Sequence, residues 1–86
     1  MATLFIPASL RELCGGATRM ELDAATVRGL VRELDARYPG AAERLIADDA
    51  PRSGWAIAVD GVMVRSLATK LSPTAEVHFV PAVGGG

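Results

Sequence analysis

Val27-Arg28-Gly29-Leu30-Val31-Arg32-Glu33-Leu34-Asp35-Ala36-Arg37-Tyr38-Pro39-Gly40 is the stretch on which the fold turns. Val27, Leu30, Val31, Leu34 and Tyr38 recur at i, i+3, i+4, i+7 and i+11, which lines one face of an α-helix. Arg28, Arg32, Glu33 and Arg37 fall off that stripe and belong to the solvated side. Thr26 or Asp23 can cap the start, and Pro39-Gly40 stops the run. Gly29 inside a helix costs up to about 1 kcal/mol against alanine, and close packing on a sheet is the expected reason for it. A helix with one apolar face needs a partner layer, and the flanking sequence supplies one.

Upstream, Ala2 to Ile6 is short, β-prone and closed by Pro7. Alternation puts Leu4 and Ile6 on one side, Thr3 and Phe5 on the other. Ser9 to Gly16 turns the chain, and Thr18 to Leu22 pairs back as a second strand. Downstream, Ala41 to Ala47 reads as a second short helical turn with Leu45 and Ile46 inward. Asp48 to Gly54 reads as a polar surface loop. Trp55 to Val59 and Val62 to Val64 flank Asp60-Gly61, a hairpin signal because both turn residues need positive φ. Leu67 to Leu71 is a connector, Ser72-Pro73-Thr74 a turn, and Glu76 to Val80 a final strand. The order is β-β-α-β-β-β, an α+β, β-grasp arrangement: a mixed β-sheet with one main helix on one face. The first and last strands are expected as parallel central neighbours, and the second sheet face stays open to solvent or a partner.

Eighty-six residues make one small domain. We expect residues 1–80 to form it and residues 81–86 to be a flexible glycine-rich tail. Half of the residues are apolar and the net charge is −1, so the chain should fold, and a nucleic-acid partner is not expected. No stretch has the length of a membrane span. The lone Cys14 cannot close an internal disulfide, which fits a reducing cytoplasm.

The residue inventory argues against an internal active site. His78 and Cys14 are the only histidine and cysteine, and a nucleophile–base pair from them needs an orienting group and a pocket. His78 is expected on the open sheet face, Cys14 in a turn or the minor core. Metal-ligand spacing is absent, Gly15-Gly16 lacks the lysine and spacing of a phosphate loop, and Asp48-Asp49 reads as solvated.

The end of the chain is different. Glycine forms about 7% of average sequences, yet the sequence closes on Gly84-Gly85-Gly86. Without side chains these residues fit a narrow channel. Extended, residues 81–86 would span roughly 20 Å, and a terminal carboxyl is an anion at neutral pH. As a carboxylate it is a poor acyl donor. Attack on the α-phosphate of ATP would convert it to an acyl-adenylate, from which sulfide could displace AMP. A separate adenylating enzyme is required, since this chain has no nucleotide-binding motif.

A β-grasp order ending in Phe79-Val80-Pro81-Ala82-Val83-Gly84-Gly85-Gly86 resembles the MoaD/ThiS family of sulfur carriers. Leu34 to Gly40, Glu43 to Ile46, Leu67 to Thr69 and Val80 to Gly84 are most similar to the CysO-type carriers of cysteine biosynthesis. Two departures are Gly84, where alanine or serine is common, and Ser72 to Ala75, where an Asp-Gly-Asp turn is common. The resemblance implies that Gly86 is adenylated and thiocarboxylated by an E1-like adenylyltransferase/sulfurtransferase, using ATP and a sulfide source. It implies that Val83, Gly84 and Gly85 enter the partner's active site. The sulfur would go to an acceptor enzyme, of cysteine-synthase type or in molybdopterin or natural-product assembly. A metalloprotease could regenerate the tail. The chain itself would be a co-substrate with no bound cofactor.

Phe5, Ala58, His78 and Val80 should share the open face. Clustered there, they suit a transient interface, but single exposed apolar residues are also ordinary, and the pattern leaves both readings standing. Two other functions remain open: a β-grasp interaction subunit, and a ubiquitin-like modifier joined through Gly86 to lysines.

Overall fold

The computed structural model describes residues 1–82. Five strands form one sheet: β1 (Ala2–Phe5), β2 (Arg19–Leu22), β5 (Trp55–Val59), β6 (Val62–Val64) and β7 (Glu76–Pro81), in the order β2-β1-β7-β5-β6. β1 and β7 run parallel at the centre and the other pairs are antiparallel. The expected β-grasp topology is therefore present. β7 continues one residue past the expected end, with Pro81 opposite Trp55.

α1 (Val27–Arg37) lies across one face of that sheet. Its stripe Val27, Leu30, Val31 and Leu34 is fully buried, packed with Leu4, Leu22, Ile57 and Val77. Burying such side chains is worth about 1.5–3 kcal/mol each. Thr26 is the N-cap, its Oγ1 accepting from the Gly29 N–H at 3.1 Å. The connector from Leu67 to Leu71 satisfies two more free helix donors: the Val27 N–H reaches the Thr69 carbonyl and the Arg28 N–H the Leu67 carbonyl.

Gly29 does not pack on the sheet as expected. A Cβ there would meet Thr26 Oγ1 at 3.4 Å and Ala24 Cβ at 3.6 Å, so the position faces the capping loop. It lies off the buried stripe, next to Arg28, which is why the sheet never reaches it.

The segment after α1 is more ordered than a loop. Asp35 Oδ1 accepts from the N–H groups of Gly40 and Ala42, which fastens the short α2 (Ala41–Leu45) to α1. β3 (Ile46–Ala47) and β4 (Ala50–Pro51) then form a two-stranded ribbon. Asp48 and Asp49, expected as a plain solvated loop, are its turn, both at positive φ (53° and 57°). Aspartate tolerates that region better than most residues. Asp49 is not free either, since it takes a bidentate ion pair from Arg28 at 2.7 and 2.8 Å. Ile46 is half-buried against the core and Leu45 fully so.

Asp60 and Gly61 carry the expected positive φ, 49° and 81°. Asp60 Oδ1 also accepts from the Glu76 N–H at 2.9 Å, tying the β5–β6 turn to the start of β7. Cys14 is buried in the main core, beyond a short 3-10 helix at Ala8–Leu10. No helix among the described residues is long and apolar enough to cross a membrane.

Candidate functional site: the open sheet face

Because Leu4, Ile57, Val77 and Phe79 point at α1, their strand neighbours point away. Register then aligns one row across the sheet. Phe5 stands opposite Arg19 on β2 and His78 on β7, His78 opposite Ala58 on β5, and Ala58 opposite Met63 on β6. Val80 lies one step further along β7, opposite Ala56. All four residues expected on this face are there, and each is half-buried. The Phe5 and His78 rings stack with centroids 4.1 Å apart and planes inclined by 7°. Met63 ends the row 60% exposed, a large apolar residue that strand parity alone did not single out.

A shallow groove of about 630 Å³ opens beside the stack, lined by Phe5, Ile6, Pro7, Arg11, Thr18, Arg19, His78 and Phe79. Arg19 escaped the sequence reading because only the β1–β2 register shows what it stands beside, and Arg11 because it lies in the turn that follows the 3-10 helix. Arg11 Nε donates to the Ile6 carbonyl at 3.3 Å, which holds the guanidinium at the groove rim.

The end of β7 is anchored as far as Ala82, whose N–H bonds the Gly54 carbonyl at 2.8 Å. Trp55 opposite Pro81 packs edge-on to Phe79, centroids 6.5 Å apart, and its Nε1–H donates to the Arg44 carbonyl. Val83, Gly84, Gly85 and Gly86 lie outside the described residues. Among the described residues, no three histidine, cysteine or acidic side chains gather where a metal ion could be held. Burial pushes the Cys14 thiol above its ordinary pKa, which disfavours the thiolate and makes this cysteine a packing residue.

The family model for the ThiS family matches residues 4–86. The chain belongs to the ThiS family. Solved structures agree with that placement. A chain of the Amycolatopsis orientalis BexX/CysO complex superposes with a TM-score of 0.90 at 26% identity, with all of both chains covered. Mycobacterium tuberculosis CysO gives 0.88 at 28% identity, over 96% of this chain and all of that one. A putative molybdopterin converting factor subunit 1 from Pyrococcus furiosus gives 0.75 at 26% identity, over 95% and 97%. No curated protein matches the sequence. The resemblance to the MoaD/ThiS sulfur carriers drawn from the terminal motif and strand order is thereby established.

Proposed function

We propose that the chain is a sulfur carrier that works through its Gly86 carboxyl group. An E1-like enzyme would join a carboxylate oxygen to the α-phosphorus of ATP, releasing pyrophosphate. Sulfide equivalents from a sulfur source would then form the C–S bond as the C–O bond to AMP breaks, leaving a thiocarboxylate. The acceptor enzyme would take the sulfur, and hydrolysis or transfer would return the carboxylate. Val83, Gly84 and Gly85 are the slender approach to both enzymes, and Phe5, Ala58, His78 and Val80 the face that docks them. No residue of the chain is asked to act as acid, base or nucleophile in these steps, which makes it a co-substrate.

The observation that carries the reading is a ThiS-family match that runs through the glycine end, residues 4–86. The likeness to a chain of the BexX/CysO complex supports an enzyme partner, and the likeness to CysO favours an acceptor of the cysteine-synthase type. The test is intact-protein mass after incubation with ATP, sulfide and the E1-like enzyme of the same organism. Replacement of one oxygen by sulfur, dependent on ATP, is the expected result. An unchanged mass, with an enzyme active on another carrier, would sink the proposal and favour a tethering subunit.

A further inference from the structure

The groove beside the Phe5–His78 stack has a charge opposite to that of the chain. The whole protein carries a net charge of −1, yet Arg11 and Arg19 are both in the groove lining, which among the described residues holds no carboxylate. Among the described residues the only ion pair is Arg28–Asp49, on the helix side. Neither groove guanidinium forms an ion pair among the described residues. The sheet's acidic residues Glu21 and Glu76 sit together one row away, toward the start of β7. Arg19 borders both regions: it lines the corner that holds Glu21 and Glu76 and the groove toward the end of β7, where Arg11 joins it and the described lining has no carboxylate.

From this arrangement we infer that the groove receives an acidic segment of the activating enzyme, with a carboxylate between Arg11 and Arg19 and an apolar residue on the aromatic stack. The inference rests on the functional reading above. Three features select this occupant. A guanidinium offers a fixed fork of donors that matches a carboxylate in two parallel bonds. The Arg11 bond to the Ile6 carbonyl pre-orients one fork, which lowers the entropy lost on binding. Aromatic and arginine side chains together are the usual composition of binding hot spots. Position supplies the rest: an enzyme that takes up the residues beyond Ala82 must lie over this end of β7. The pair of arginines then steers the approach and fixes its direction, since a partner docked the other way round would place its acid against Glu21 and Glu76.

The experiment measures the dissociation constant of the full chain and the E1-like enzyme of the same organism by calorimetry, at low and high salt. The chains compared are wild type, Arg19→Glu, Arg11→Glu and the double variant. Arg19 is exposed and makes no side-chain bond among the described residues, so Arg19→Glu tests the groove even where Arg11→Glu disturbs the fold. We expect a loss of roughly tenfold for Arg19→Glu and on the order of a hundredfold for the double variant, with a flattened salt dependence. Glu21→Gln should bind as tightly as wild type or tighter. At saturating enzyme the Arg19→Glu chain should still gain sulfur. Wild-type affinity in a folded double variant overturns the inference. So does an unchanged affinity with a raised KM for ATP, which would assign the groove to nucleotide phosphate. Wild type that binds enzyme but never gains sulfur refutes the functional reading alone.

Discussion

The ring of Phe5 lies flat on the imidazole of His78, centroids 4.1 Å apart, on two parallel strands at the middle of the sheet. The pair sits on the face that α1 leaves uncovered, so its packing energy depends on half-buried surface. Phe5→Ala should lower stability by about 1 kcal/mol, the stacking contribution of such a pair, and weaken binding of the activating enzyme by about tenfold. Urea melts and calorimetry together check this. Unchanged affinity would remove the stack from the docking face.

Gly29 offers the opposite sign. Its φ is not in the left-handed region, and an added Cβ meets only Thr26 Oγ1 and Ala24 Cβ at ordinary contact distances. Gly29→Ala should therefore raise stability by about 0.5–1 kcal/mol. Thr26→Ala, which removes the cap, should lower it by about 1 kcal/mol. A destabilised Gly29→Ala variant would show that the methyl group displaces the Thr26 cap.

Asp60 joins the β5–β6 turn to β7 through one carboxylate oxygen on the Glu76 N–H, at a φ of 49°. Asp60→Asn keeps an acceptor and tolerates that φ, and should be nearly neutral. Asp60→Ala loses the bond and tolerates the backbone poorly, a cost of about 1–2 kcal/mol. Equal melting temperatures for the two variants would contradict this account of the turn.

These positions also show what could be read without coordinates. The α1 stripe and the Asp60-Gly61 hairpin were legible because each is local: a 3.6-residue period, and a turn pair with known backbone demands. Membership of Phe5, Ala58, His78 and Val80 in one face followed from strand parity. Arg19 was not legible, because its place opposite Phe5 depends on the β1–β2 register across a long connection. Arg11 lies in the turn after the 3-10 helix, whose path no periodicity gives. Met63 could have been found, since the two-residue Asp60-Gly61 turn sets it opposite Ala58. The β3–β4 ribbon was missed for a different reason. Its turn is Asp48-Asp49 between two-residue strands, too short for alternation to show and without the glycine that marks such turns. Gly29 was misread because a helical glycine signals freedom from a side chain, not the direction in which that freedom is used.

Asp49 gives a pH dependence with a definite sign. The hydrogen bond from Arg28, aided by the charges of Arg28 and Arg32, holds its carboxyl below the ordinary aspartate value. Stability from the pair is fully present above the unfolded value, about 3.9, and is lost as pH falls through the lower folded value. Both partners are partly exposed, so salt should weaken the effect. Asp49→Asn should flatten the acid limb of stability against pH, and a limb of unchanged slope would count against the pair.

Cys14 should resist chemistry while the protein is folded. It is 1% exposed and its thiol is pushed up by burial. Iodoacetamide should label it slowly in buffer and rapidly in denaturant. Fast labelling of the native chain would mean that the segment around the 3-10 helix opens easily.

The central claim is that Gly86 carries sulfur as a thiocarboxylate, and intact-protein mass spectrometry tests it most directly. The chain is incubated with ATP, sulfide and the E1-like enzyme of the same organism, alongside a chain extended by one residue past Gly86. The account predicts that one oxygen is replaced by sulfur in the first, only with ATP, and that the untrimmed extended chain stays unchanged. An unmodified Gly86 chain beside an enzyme active on another carrier, or sulfur on the extended chain, would contradict it.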